Sequence, residues 1–212
     1  MIKRMLFMLR QFVLSACVIT LMLTSLASSA ESTTSEKFIT TLSERLQITL
    51  TEAKKSKRLD NVEYIDQLID QEVIPHINLN ALCKRIFREH WQGILEKNKE
   101  QESIDAVVGS LKRTYRLAVS SYNGQKIEVV ESKHQKSYDI VRIKITTSGK
   151  NDHTIDFAVR QFDNAWKIFD FSVDGIGVSK TLYGSIDQQI KSEGLESTLK
   201  SLAQNNIETS GS

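Results

Sequence analysis

The chain has 212 residues, of which 40% are hydrophobic and 25% are charged, a composition typical of a globular protein. This length suits one domain. The 28 basic residues include Lys3, Arg4 and Arg10, so the rest of the chain carries 25 basic and 26 acidic residues, a net charge of −1. Such a balance excludes the strongly basic surface that nucleic-acid binding requires.

The first thirty residues have the layout of a secretory signal peptide. A basic start precedes an uncharged apolar stretch from Phe12 to Leu26, and Ser28–Ala30 supplies small residues before Glu31. We predict cleavage after Ala30 and export of the mature chain. A retained membrane anchor is the alternative, but the apolar stretch falls short of the roughly 20 residues of a membrane span.

The stretch Leu14–Cys17 is similar to a lipoprotein processing site. It lies too close to Arg10 to leave an apolar region of about 7–15 residues before the cysteine. We therefore interpret Cys17 as an apolar residue of the signal peptide. Cys83 is then the only cysteine of the mature chain, so no internal disulfide can stabilise it.

Four amphipathic helices are predicted next, because apolar residues recur at steps of three and four. The first ends in basic residues at 54–58, the second begins after Asn61 and ends near Pro75, the third begins near Asn78 and runs through Trp91, and the fourth begins near Ser103. Their apolar faces include Phe38, Leu42, Leu46, Leu50 and Ala53; Ile65, Leu68, Ile69 and Val73; Leu82, Cys83, Ile86 and Phe87; and Ile104, Val107, Val108, Leu111, Tyr115, Ala118, Val119 and Tyr122.

The period of the apolar residues changes to two after the turn signal Asn123–Gly124. Four alternating runs follow, and Asp163–Asn164 joins the third to the fourth as a hairpin. Two short helices, separated at Gly194, end the chain. We predict an α+β fold in which a helical N-terminal half and C-terminal helices pack on one face of a four-stranded antiparallel sheet. Periodicity alone does not distinguish a closed core from one that opens around a ligand. Residues 31–205 form one domain in this prediction, and 206–212 form a disordered tail.

The search for chemistry finds little. His76, His90, His134 and His153 are scattered without metal-binding spacing, and we interpret His90 beside Trp91 as a structural pair. No serine-nucleophile motif is present. Asp170 and Asp174 could form a carboxylate pair, but acidic residues at a strand end more often face solvent or cap a turn. The glycine-rich stretch 175–181 has Ser179 where a phosphate-binding loop needs glycine. We expect no catalytic residue, no metal and no cofactor.

Several stretches, in this order and spacing, resemble the MlaC family of toluene-tolerance proteins, which are auxiliary components of ABC transporters. Residues 64–76 resemble the family's helix with a Leu-Pro-His/Tyr ending, and His90–Trp91 closes the next helix as in relatives. Residues 121–127 are similar to the family's Tyr-x-Gly-Gln entry into the sheet, and 166–176 to its Trp-Lys-Val-Tyr-Asp segment.

The chain also departs from the family's pattern. Gly177, Leu182 and Tyr183 stand where relatives have serine, tyrosine and arginine, and Arg88 stands where a glycine is expected. This chain therefore lacks the family's arginine at that position, where the resemblance would put it at a lipid headgroup or a partner surface.

The resemblance implies a monomeric periplasmic phospholipid carrier without enzyme activity, with an apolar pocket between the sheet and the helices. It would shuttle lipid between an outer-membrane lipoprotein–porin complex and an inner-membrane MCE–ABC transporter, and so maintain the lipid asymmetry of the outer membrane. An exported adaptor without a ligand and an exported hydrolase are the alternatives. The strand alternation and the helix stripes, read with this resemblance, select as acyl-chain contacts Leu111, Tyr115, Val119, Ile127, Val129, Val141, Ile143, Phe157, Val159, Phe171, Val173, Ile176 and Leu182; the opposite face of the fourth strand stays open as an alternative.

Overall fold

The structure, a computed structural model, describes residues 34–147, 149 and 152–204. The predicted signal peptide and the tail 206–212 lie outside these residues. No helix in the described part of the chain is both long enough and apolar enough to cross a membrane.

Helices form the first half of the described chain. They are α1 (Ser35–Lys55), α2 (Val62–Glu72), α3 (Leu79–Phe87), α4 (Trp91–Glu96) and α5 (Glu100–Ser120). The predicted helix starts are confirmed by their caps, because the Asn61 side chain accepts a hydrogen bond from the Tyr64 amide at 2.8 Å and that of Asn78 from the Ala81 amide at 2.9 Å.

The third predicted helix is interrupted, and this corrects the sequence-based prediction. The α3 helix ends at Phe87, a 3₁₀ turn spans Arg88–His90, and α4 begins at Trp91. Arg88 has φ +44° and ψ −113°, a conformation that breaks the helical ladder and that side-chain-bearing residues rarely adopt. Glycine reaches this conformation without strain.

The second half contains the sheet. Its strands are β1 (Lys126–His134), β2 (Asp139–Thr146), β3 (His153–Phe162), β4 (Ala165–Val173) and β5 (Ile176–Gly177), and they neighbour one another in chain order. All pairs are antiparallel.

The prediction of four strands was one strand short. Asp174 and Gly175 have φ of +49° and +82°, and this tight turn brings Ile176 back to pair with Val173. Two residues are too few to show an alternating pattern, so β5 has no periodic signal in the sequence. The hairpin predicted at Asp163–Asn164 is confirmed, with φ of +48° and +63°.

Two helices follow β5. The α6 helix (Val178–Glu193) and the α7 helix (Leu195–Gln204) are separated by Gly194 at φ +84°, as the sequence predicts. The Arg113 guanidinium of α5 donates to the Leu202 carbonyl oxygen and so ties α5 to the end of α7.

Buried side chains form three hydrophobic clusters. The helical cluster joins α3, α4, α5, α6 and α7, the sheet cluster joins α1 to β2, β3 and β4, and the α1–α2 cluster joins the end of α1 to α2. Their members include Leu82, Cys83, Ile86, Phe87, Val107, Ile186 and Leu199; Ile39, Leu42, Val141, Ile143, Val159 and Ile168; and Leu50, Ala53, Leu59, Leu68 and Tyr122. Burial raises the pKa of the Cys83 thiol to about 12.

The helical half is connected to the sheet at β4. Ile77 forms a parallel bridge with Ile168, and the Asn78 amide donates to the Ile168 carbonyl oxygen at 2.8 Å. The Lys167 ammonium group donates to the Pro75 carbonyl oxygen at 2.6 Å. These contacts fix α3 beside the edge of the sheet.

Candidate functional site

One face of the sheet carries the apolar side chains. Val129 lies opposite Ile143, and Phe157 lies opposite both Val141 on one side and Phe171 on the other. Because directly opposed residues project from the same face, the pairing places on one face all the predicted contacts from β1 to β4: Ile127, Val129, Val141, Ile143, Phe157, Val159, Phe171 and Val173.

The α1 helix covers part of this face. Ile39 and Leu42 of α1 pack on Val141, Ile143 and Val159, and all five side chains are buried. These three predicted contacts therefore lie in a closed core under α1. Ile127 and Val129 lie at the margin of the same cluster and are partly buried.

The α5 helix faces another part of the sheet. The Tyr115 ring lies 5.9 Å from the Phe171 ring, centroid to centroid, and the Phe157 ring lies 6.5 Å from that of Phe171. Leu111 and Val119 flank Tyr115 at steps of four and share its side of α5. Six side chains of this region are partly buried, and we call them together the seam: Leu111, Tyr115, Val119, Phe157, Phe171 and Val173.

The seam lies where the three clusters meet. Leu111 packs against the helical cluster, Phe157 against the sheet cluster, and Val119 against the α1–α2 cluster. A domain of this size usually has one contiguous core. Here apolar side chains stay incompletely buried between three cores, so the α5 side of the sheet is packed less completely than the α1 side.

Tyr115 gives the seam one polar group. Burial raises the pKa of its hydroxyl above the ordinary value for tyrosine. No residue in the described part of the chain hydrogen-bonds this hydroxyl. A tyrosine in an apolar setting usually finds a hydrogen-bond partner, so the hydroxyl is available to a polar group of a bound molecule.

The other two predicted contacts lie at the edges of this region. Leu182 of α6 packs against the helical cluster. Ile176 pairs with Val173 in the sheet, but its own side chain is 66% exposed. The thirteen predicted residues therefore do not line one cavity.

Two surface depressions of about 490 Å³ each lie at other places. One is beside Asn78 and the turn between β3 and β4, and the other runs from Gly175 in the turn after β4 along α6 to Gln188. Their walls include amides and charged groups such as Asn80, Asp163 and Lys167. Acyl chains require apolar walls, so the seam suits them better. Because the rings of Tyr115 and Phe171 are in contact, an acyl chain can enter the seam only if these rings rotate or if α5 moves away from the sheet.

The acidic and histidine side chains have structural partners. The Asp170 carboxylate accepts from Arg85 at 2.8 Å and from the Ser179 hydroxyl at 2.6 Å. The Asp174 carboxylate accepts from the Thr154 amide at 2.8 Å. His90, which the sequence pairs with Trp91, instead contacts Asp187 at 2.9 Å.

The fold and the seam define the class: an α+β protein whose apolar interior is incompletely closed between helices and sheet. The MlaC family model matches residues 40–204, and the chain belongs to the MlaC family.

A solved structure shares the fold. It is a phospholipid-binding protein from Ralstonia solanacearum in complex with a phospholipid; the match has a TM-score of 0.74 and 18% sequence identity, and covers 84% of this chain and 100% of that one. At this identity the likeness shows the shared fold. No curated protein matches the chain.

Proposed function

We propose that this protein is a phospholipid carrier that holds acyl chains along the seam. The observation that carries the proposal is the set of partly buried apolar side chains between α5 and the sheet, from Leu111 to Val173. Membership of the MlaC family and the likeness to a phospholipid-binding protein support it.

The energetics explain why a carrier is required. Burial of one methylene is worth about 0.8 kcal/mol, so two long acyl chains cost well over 20 kcal/mol to expose to water. A carrier, however, takes its lipid from a bilayer and not from water. The transfer is then nearly isoenergetic, and its direction has to come from the partners on which the carrier docks.

Tyr115 suits the boundary between the acyl chains and the polar part of a lipid. Its ring contacts Phe171 within the seam, and its hydroxyl has no partner among the described residues. This hydroxyl can donate to an ester carbonyl or a phosphate oxygen. The ring and the hydroxyl together then orient a lipid in the seam.

The cellular role that we propose follows from membership of the MlaC family. The chain is exported after cleavage behind Ala30 and works in the periplasm as a monomer that is not an enzyme. It exchanges phospholipid with an outer-membrane lipoprotein–porin complex and an inner-membrane MCE–ABC transporter, and so maintains lipid asymmetry. An intact mass that begins at Glu31 supports the export step, and a lipidated species that retains Cys17 contradicts it.

Native mass spectrometry of the purified protein tests the central claim. We expect about one phospholipid for each chain. Tyr115→Glu and Phe171→Glu should each lose most of this lipid, because a carboxylate in the seam would have to be desolvated against acyl chains. Leu117→Glu is the matched control, since Leu117 is on the same helix but is 76% exposed.

Wild-type protein without lipid, or seam variants that retain it in full, would contradict the carrier assignment and favour an adaptor. Incubation with labelled phospholipid separates a carrier from a hydrolase. Release of lysolipid or fatty acid beyond one equivalent, abolished by Asp170→Ala, would show an enzyme.

A further inference from the structure

A second polar cluster lies where the turn after α3 faces α6. Glu89 and His90 come from the 3₁₀ turn, and Asp187 comes from α6. One ligand atom from each lies within 4.8 Å of the other two, and this is the only such three-residue grouping among the residues that the structure describes. The spacing in the sequence gives no sign of it, since Asp187 is distant from the other two.

Neighbouring side chains hold the two carboxylates in place. The Tyr183 hydroxyl donates to Glu89 Oε1 at 2.8 Å, and Lys191 Nζ donates to Asp187 Oδ2 at 2.8 Å. The pKa of Glu89 is lowered by a backbone hydrogen bond and by Tyr183, and that of Asp187 by Lys191 and His90. Both carboxylates are therefore ionised at neutral pH, as metal ligands have to be.

We propose that Glu89, His90 and Asp187 bind one divalent transition-metal ion, and that Zn²⁺ fits the three best. Imidazole nitrogen and carboxylate oxygen are ordinary zinc ligands, at about 2.0–2.2 Å from the metal, and water commonly completes the fourth position. Two carboxylates and a neutral imidazole match the charge of the ion. The ion would lie between His90 Nε2 and Asp187 Oδ1, which are now 2.9 Å apart.

The geometry requires only a small adjustment. Ligand atoms of a tetrahedral zinc site are about 3.4 Å apart, so His90 Nε2 and Asp187 Oδ1, now at 2.9 Å, have to separate by about 0.5 Å. The Glu89 carboxylate, within 4.8 Å of both, has to adjust to the same spacing. Glu89 is exposed and can move, while His90 and Asp187 are held on the turn and on α6, with 19% and 17% of their side chains exposed. The bound ion would then join the turn after α3 to α6.

Lys191 distinguishes a metal site from a simple ion pair. Its ammonium group occupies Asp187 Oδ2 and would compete with a metal for this carboxylate. Lys191→Ala should therefore tighten metal binding, whereas a cluster with only a structural role would give no metal binding to tighten.

Isothermal titration of chelator-treated protein with zinc chloride tests the proposal. We expect one saturable site and a higher melting temperature with zinc, because the ion binds the folded chain. His90→Ala and Asp187→Asn should abolish the site, and Tyr183→Phe should weaken it about tenfold, as loss of a supporting hydrogen bond does.

His153→Ala is the matched control, since His153 pairs with Asp174 at 2.7 Å without a third ligand among the described residues. It should leave zinc binding unchanged. The proposal is overturned if wild type shows no saturable site, if Asp187→Asn binds as tightly as wild type, or if Lys191→Ala binds more weakly. Should the ligand variants not fold, Lys191→Ala and Tyr183→Phe decide the question.

Discussion

At the scale of single residues, Arg88 has a backbone conformation that residues with a side chain rarely adopt. Its φ of +44° with ψ of −113° costs about 1–3 kcal/mol for a residue with a side chain. Its guanidinium lies 3.8 Å from the centroid of the Tyr183 ring, a cation–π contact worth about 0.5–1 kcal/mol.

Substitution at Arg88 separates the two effects. Arg88→Gly and Arg88→Ala both remove the contact with Tyr183, but only glycine relieves the backbone. Glycine also gives the unfolded chain more freedom, worth about 0.4–1 kcal/mol. We therefore expect Arg88→Gly to be more stable than Arg88→Ala by about 1 kcal/mol in urea unfolding. Equal stability of the two variants would show that the backbone at Arg88 is not strained.

His76 is the residue at which we expect acid to act on stability. Its pKa is lowered by burial and by the positive charges of Arg45 and Lys167, and Glu72 opposes this only in part. The unfolded chain therefore binds a proton at His76 at a higher pH than the folded chain does. By linkage, stability falls as the pH drops below the unfolded-state pKa of about 6.5.

The variant His76→Gln removes this proton uptake. Its free energy of unfolding should fall less than that of wild type between pH 7 and pH 5, and urea titrations at each pH measure the difference. The change from pH 9 to pH 8 serves as the reference, because His76 is almost wholly neutral there in both states. Parallel curves for wild type and variant from pH 7 to pH 5 would contradict the assignment to His76.

At the scale of elements, the turn between β4 and β5 depends on glycine. Gly175 has φ +82°, where an added Cβ would cost about 1–2 kcal/mol. Gly184 lies within α6 without a positive φ, and no atom lies within 4 Å of an added Cβ. Gly175→Ala should therefore destabilise the protein by about 1 kcal/mol, whereas Gly184→Ala should stabilise it by about 0.5–1 kcal/mol.

Thermal or urea unfolding of the two alanine variants measures both changes in stability. The opposite signs make the comparison informative, because the same chemical change is made in both. If Gly175→Ala is as stable as wild type, the turn does not require the conformation that creates β5.

The elements also show how far sequence reasoning reaches. The helix starts at Asn61, predicted as a cap, and near Asn78 could be predicted because helix starts are set locally, and the structure confirms both. The break at Arg88 and the strand β5 depend on φ angles that no apolar period reveals. The alternation places Val141 and Phe171 on one sheet face, but it cannot show that α1 closes over the first and leaves the second in the seam. That distinction depends on tertiary packing.

At the scale of the whole molecule, the three clusters predict two responses to added bulk. Val159 is fully buried in the sheet cluster, which also contains Ile39 of α1, whereas Val173 lies in the seam and is partly buried. Val159→Trp should overpack the sheet cluster and cost roughly 1–3 kcal/mol or more. Val173→Trp should fill space along the seam, reduce bound phospholipid and change stability little.

Melting temperature and lipid content of the two variants, measured side by side, test this division. Equal destabilisation by both would mean that the seam is packed as tightly as the sheet cluster. If Val173→Trp binds as much lipid as the wild type, the acyl chains bind in another part of the interior.

Because Cys83 is buried in the helical cluster, the reactivity of its thiol reports on the opening of this cluster. A thiol with a pKa of about 12 and no solvent contact is almost wholly protonated at neutral pH, and a maleimide or disulfide reagent reaches it only when α3 detaches from its neighbours. The rate of modification under native conditions therefore counts the openings of this cluster. In the chain that follows the predicted signal peptide no other cysteine competes for the reagent. The same molecule can be followed this way with and without lipid or zinc, and no label has to be engineered into it.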